Sequence, residues 1–203
     1  MAKITTIFSD VGGVMLTNGW DRVSRHKLVE KFNLELAEFG DRHELVCTAF
    51  ETGELDMDHY LDRTVFYKPR AFTKTEVKDF MFAESQPYPE ALAFMARLAL
   101  SNKYLMTTLN NESTELNQYR IEHFGLRNYF TAFFSSCYLG VKKPDEAIYI
   151  LALELTQRPP EECVFIDDRA LNLECARWHG MHTIQFQNVS QLESDLRALG
   201  VET

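Results

Sequence analysis

An α/β fold built on a parallel sheet, with a helical unit inserted near its start, is predicted by three features of the 203-residue sequence. Short apolar runs alternate with helix-patterned stretches through the second half, the pattern of strands joined by crossover helices. The segment from Trp20 to about Pro87 carries helical patterns only. That segment is bounded by Asn18-Gly19 and by Pro87-Tyr88-Pro89, where glycine and proline interrupt the periodicity and permit a hinge. The expected division is a core of residues 1–18 and 88–203 with an insert of residues 19–87.

In chain order, the candidate strands are Ile4 to Ser9, Tyr104 to Leu109, Phe130 to Phe134, Cys163 to Ile166 and Thr183 to Phe186, each followed by a helical stretch. In the insert, Thr73 and Glu76 have the spacing of a capping box ahead of Val77, Phe80 and Met81. Met57, Leu61 and Val65 fall on one helical face, so the insert has an apolar side of its own. Gly125 and Gly180 are expected to end two core helices, and Ser190 with Glu193 to cap the last one, which Gly200 stops.

The composition, 45% hydrophobic and 25% charged, is that of an ordinary globular chain. With 21 Lys and Arg against 30 Asp and Glu, a formal charge of -9 and no basic run, it is unsuited to nucleic acid or an anionic membrane surface. No apolar stretch approaches the roughly 20 residues that span a bilayer. Met1 to Phe8 has no signal-peptide pattern, so a cytoplasmic location is expected. Cys47, Cys137, Cys163 and Cys175 form no CxxC pair and fit buried thiols in a reducing compartment. The six histidines form no metal-binding pattern.

Three candidate strands end in polar groups: Asp10, Asn110-Asn111 and Asp167-Asp168. In a parallel sheet these ends share the edge at which open α/β sheets bind ligands. Carboxylates gathered there repel unless a cation holds them, and an oxygen-only set favours Mg²⁺. Gly12-Gly13 lets the backbone turn sharply and come close to a ligand. Lys143, before Pro144 at the start of a helix, adds an ammonium and a helix N-terminus, together an anion site. Singly, Asp168 reads as an N-cap, Lys143 as a solvated lysine and Asp10 as a turn residue. Jointly, cation, lysine and carboxylate point to a phosphate ester.

In order and spacing, Phe8-Ser9-Asp10-Val11-Gly12-Gly13-Val14, Asn110-Asn111, Lys143-Pro144 and Asp167-Asp168-Arg169-Ala170-Leu171-Asn172 resemble the four motifs of the haloacid dehalogenase-like hydrolase superfamily. The resemblance covers almost the whole chain. It implies a Rossmann-like parallel sheet flanked by helices, with the insert as a small C1 cap, and it is closest to phosphatases resembling the N-terminal domain of bifunctional epoxide hydrolases. It implies Asp10 as a nucleophile that forms an aspartyl-phosphate. Mg²⁺ would bridge Asp10, the Gly12 carbonyl, Asp168 and the phosphate, with Asp167 ligating it or holding its waters. Lys143 would neutralise charge on the phosphoryl oxygens. Asn110 stands where the family has Ser or Thr and would donate to a phosphate oxygen, with Thr108 the alternative in another register. Gly12, Gly13 and Asn111 complete the implied binding set, and the implied substrate is a small phosphorylated metabolite.

One departure bears on the chemistry. The family's second aspartate, the general acid and base, is Gly12 in this sequence. Losing such help costs typically about 10²- to 10⁴-fold, unless Asp21 or another insert residue substitutes. Two rivals follow: a 2-haloacid dehalogenase, which the acid pair Asp167-Asp168 opposes, and a non-hydrolytic protein that binds phosphorylated metabolites, which Gly12 favours. Trp20 is placed either in the pocket wall or in hinge packing. Arg169 either meets substrate or makes a surface salt bridge.

Overall fold

The computed structural model describes residues 2–203. Its strands are β1 (Thr6–Ser9), β2 (Leu105–Asn110), β3 (Ala132–Ser135), β4 (Cys163–Asp167) and β5 (His182–Gln185). They form one sheet in the order β3-β2-β1-β4-β5, with every pairing parallel. The helices are α1 (Arg22–Lys31), α2 (Leu36–Glu51), α3 (Met57–Thr64), α4 (Lys74–Ala83), α5 (Pro89–Leu100), α6 (Thr114–His123), α7 (Ser136–Leu139), α8 (Glu146–Thr156), α9 (Ala170–Trp178) and α10 (Val189–Ala198).

Because successive strand residues face opposite sides, the central strands feed two cores. Ile7, Val164, Ile166 and Ile184 pack with Phe94 and Leu98 of α5 and Leu192 and Leu196 of α10. Phe8 and Phe165 pack on the other face with Ile148 and Tyr149 of α8 and Leu173 of α9. Sheets covered on both faces need near-continuous apolar strands, and β1 and β4 are buried along their whole lengths.

Helices α1 to α4 enclose a third cluster, which includes Phe39, Phe50, Met57, Tyr60, Leu61, Val65, Val77 and Met81, with Leu116 of α6 closing one side. The Thr73–Glu76 capping box forms as expected. The two connections to this unit run side by side: Thr17 N–H donates to Gln86 O at 2.8 Å and Tyr88 N–H to Met15 O at 2.8 Å. Among the described residues no helix is long and apolar enough to cross a membrane.

Two local expectations are corrected. The third strand lies at Ala132–Ser135, because a short 3-10 turn at Leu126–Asn128 delays its start and Phe130 goes to the core instead. The last helix is capped by Asn188, whose side chain accepts from Gln191 N–H. Both Asn188 and Ser190 are good caps, and the earlier one wins, so Ser190 lies within the helix.

Candidate functional site

Register brings the acidic residues together. Ser9 of β1 pairs with Ile166 of β4, and Asp10 N–H donates to Ile166 O at 2.8 Å, so Asp10 and Asp167 leave neighbouring strands at one level. Carboxylate oxygens of Asp10, Asp167 and Asp168 lie within 4.8 Å of one another. Lys143 Nζ reaches in from the loop before α8, 2.9 Å from Asp10 Oδ2 and 2.7 Å from Asp167 Oδ2.

Each group is oriented by others. Asp10 Oδ1 accepts from Val11 N–H at 2.8 Å. Asp167 is fully buried and accepts from Arg169 N–H at 2.8 Å and from Asn172 Nδ2 at 3.0 and 3.1 Å. Burial pushes the Asp10 carboxyl up to about 7, with Lys143 opposing the shift and Asp167 adding to it. Burial and then Asp167 raise Asp168. Burial alone would lower the Lys143 ammonium, but Asp10 and Asp167 outweigh it and its pKa is raised.

The cluster fits a cation. Asp168 Oδ1 is buried without a hydrogen-bond partner among the described residues, a costly state for a carboxylate oxygen unless something positive sits against it. The donors are all oxygens, the set preferred by Mg²⁺ and Ca²⁺. Gly13 makes the room: its φ is +74°, and a Cβ there would fall 2.3 Å from Asp168 Oδ2.

The carboxamides behave differently from the acids. Asn111 braces the lysine loop, its Oδ1 accepting from Lys143 N–H at 2.8 Å and its Nδ2 donating to Lys143 O at 2.8 Å. Asn110 is buried in a network of its own: Nδ2 donates to Asn117 Oδ1 at 3.0 Å, and Oδ1 accepts from Ser135 Oγ at 2.9 Å. Its amide is thus largely committed to joining β2, β3 and α6. Thr108 is fully buried, its hydroxyl without a partner among the described residues.

At Gly12 a side chain would enter a tight space. A Cβ there would lie 3.1 Å from Asn18 Oδ1 and 3.5 Å from Arg120 Nη1. Arg120, on α6, is buried and pairs with Glu112 at 3.1 Å, while Nε donates to Ser85 Oγ at 3.0 Å and Nη2 to Thr17 O at 3.0 Å. It thereby ties both connections of the helical insert to the core. Asp21, the candidate substitute acid, caps α1 by accepting from Ser24 N–H at 2.9 Å.

A cavity of about 440 Å³ opens over Asp10 and Lys143, walled on the insert side by Trp20, Arg25, His43 and Phe50. Trp20 lines the cavity and packs edge-on against Tyr60 in the insert core. Arg169 also lines the cavity and makes no salt bridge among the described residues. Nothing local in the sequence marks Arg120, Glu112, His43 or the bracing role of Asn111. Arg120 and Glu112 are eight residues apart and carry no local motif, so nothing short of the fold marks them.

Residues 4–180 match the family model described as haloacid dehalogenase-like hydrolase. The chain belongs to the haloacid dehalogenase-like hydrolases, and it is an enzyme of that class. Flavin mononucleotide hydrolase 1 of Arabidopsis thaliana is 28% identical over 160 residues, which span 79% of this chain and 64% of that protein. Bifunctional epoxide hydrolase 2 of Mus musculus is 37% identical over 71 residues, 35% of this chain and 13% of that one. The chain thus spans less than two thirds of these relatives. Among solved structures, a HAD family enzyme of Bacteroides thetaiotaomicron in complex with magnesium and inorganic phosphate superposes with a TM-score of 0.76, at 18% identity, over 93% of this chain and 98% of that chain.

Proposed function

We propose that this hydrolase is a Mg²⁺-dependent phosphatase acting on a small phosphorylated metabolite through an aspartyl-phosphate at Asp10. The observation that carries the reading is Lys143 Nζ held between Asp10 and Asp167, beside the unpartnered Asp168 oxygen. That combination offers a nucleophile, a fixed positive charge and a cation site within one small volume.

Asp10, oriented by Val11 N–H, attacks phosphorus in line, and the leaving alkoxide departs into the cavity; water then cleaves the acyl phosphate and frees Asp10. Lys143 opposes the upward shift that burial imposes on Asp10 and neutralises charge on the phosphoryl oxygens. Asp10, Asp168 and the Gly12 carbonyl would hold the cation, with Asp167 positioned by Asn172 and Arg169. When bound, the cation supplies charge neutralisation for the phosphoryl group. Asn111 fixes the lysine loop, and Asn110 bears on the site from the C-terminal end of β2. Helices α1 to α4, residues 19–87 in the proposed division, act as a cap that closes the cavity and excludes water.

Gly12 has no side chain to give or take a proton, so general-acid help is weak, and activated leaving groups are favoured. The test is phosphate release from a panel that includes aryl phosphate, flavin mononucleotide and sugar phosphates, with Mg²⁺ or EDTA, beside Asp10→Asn. Release that needs both Mg²⁺ and Asp10 supports the reading. Full turnover by Asp10→Asn refutes the nucleophile. Phosphorylated ligands bound tightly but never cleaved would instead favour a binding protein, and chloride release without Mg²⁺ a dehalogenase.

A further inference from the structure

His43 lies on α2, with Nδ1 2.8 Å from the hydroxyl of Tyr60 on α3. The same hydroxyl accepts from Trp20 Nε1–H at 2.9 Å. An indole N–H is a donor only, so Tyr60, fully buried, accepts from Trp20 and has one hydrogen of its own to place. Were His43 to donate from Nδ1, the phenol would accept twice and its hydrogen would be stranded in the core, a state buried polar groups avoid. The indole and phenol hydrogens are both used when Tyr60 donates to Nδ1. A neutral imidazole of that form carries its proton on Nε2.

The ring is also held in place, stacked at 10° on Phe39 and edge-on to Tyr60. It lines the cavity, and Nε2 has no hydrogen-bond partner among the described residues. Burial, and then the charges of Arg25 and Lys142, push its pKa down to about 4, so the ring stays neutral. Lys142 is balanced by Glu51 at 2.7 Å. Arg25 lines the same cavity, spends one nitrogen on Trp20 O at 2.8 Å, and makes no salt bridge among the described residues.

We propose that His43 Nε2–H and the Arg25 guanidinium form a recognition site for an anionic oxygen, a carboxylate or a second phosphate, on the part of the substrate remote from the phosphoryl group at Asp10. The inference rests on the phosphatase reading and names the substrate class. His43 is the fixed neutral donor, Arg25 supplies the charge, and Trp20 and Tyr60 are positioning residues that set the tautomer.

The test compares alkyl phosphates with phosphonooxy carboxylates and bisphosphates of equal chain length. The anionic members are expected to show kcat/KM higher by about tenfold or more at the fitting length, expressed mainly in KM, as charge-assisted hydrogen bonds require. His43→Phe and Arg25→Gln should each shrink that ratio. Whichever anion gains more distinguishes a carboxylate from a second phosphate. Long-range ¹H–¹⁵N spectra of histidine-labelled protein should show His43 protonated at Nε2, a preference lost in Tyr60→Phe. The Nε2–H resonance should move with the carboxylate probe and not with the alkyl one. A protonated Nδ1 in the wild type, or equal kcat/KM for the paired probes at every length, overturns the proposal. If no probe releases phosphate, the phosphatase reading fails, and the Nε2–H titration alone decides: a selective shift supports the site, and none overturns it.

Discussion

Lys143→Met replaces an ammonium that lies 2.9 Å from one buried carboxylate and 2.7 Å from another with an apolar chain of similar length. Removing one partner of a buried ion pair costs about 3–5 kcal/mol, because the charge left behind is desolvated and unpaired. The cost has a pH dependence whose sign follows from Asp10. Burial already holds Asp10 up to about 7 with Lys143 present, and without it the pKa rises further. A carboxyl whose folded pKa exceeds its unfolded one destabilises the native state as pH climbs between the two values, by about 1.4 kcal/mol per pH unit. Wild type incurs this loss up to about pH 7, as the Asp10 pKa requires, and the variant goes on incurring it above. The stability gap therefore widens above neutrality and narrows in mild acid, where Asp10 is protonated in both and only Asp167 lacks its cation. Urea unfolding followed by circular dichroism at about pH 5.5 and about pH 8 measures the gap. Mg²⁺ should recover part of it, by binding the same carboxylates. Turnover should fall by about 10²- to 10³-fold, the loss typical of one electrostatic stabiliser. A variant as stable as wild type at alkaline pH in EDTA, or one that retains full turnover, would refute the reasoning.

Gly13→Ala forces a side chain into a backbone with φ of +74° and drives Cβ to 2.3 Å from Asp168 Oδ2; about 1–2 kcal/mol of stability should go to the left-handed conformation, and the rise in unfolding midpoint with Mg²⁺ should vanish. Cation binding must displace the Asp10 proton below about pH 7, so affinity should climb by up to about tenfold per pH unit towards neutrality and then level off. Calorimetry in buffers of different ionisation heat reads the released proton, and pH-independent affinity with no proton release contradicts the assignment. Arg120→Gln leaves Glu112 buried and unpaired, an expected loss of about 3–5 kcal/mol that deepens as pH rises, since burial already raises Glu112. The pairing is tested by Arg120→Met with Glu112→Leu, which should be less damaging than Arg120→Gln alone in the same urea titration.

The parallel sheet and the helical insert were legible in the sequence because both are written in local periodicity. Ile7 and Phe8 alternate between two cores, and Met57, Leu61 and Val65 keep one face, whatever surrounds them. The acidic cluster was legible too, since strand ends of a parallel sheet must share an edge, and Asp10 and Asp167 meet there. Helix and strand ends were less so: Asn188 and Ser190 are equivalent caps in sequence, and only the packed chain chose between them. Tertiary structure alone turned Asn110 towards Asn117 and Ser135 and gave Asn111 to the lysine loop, because a side chain's partner depends on which helix crosses the strand end. It alone put Arg120 beside Gly12 and linked His43 through Tyr60 to Trp20. Periodicity is a property of neighbours along the chain, whereas a hydrogen bond or ion pair joins residues far apart in it, so the chemistry of the cavity wall came into being only when the insert folded over the sheet.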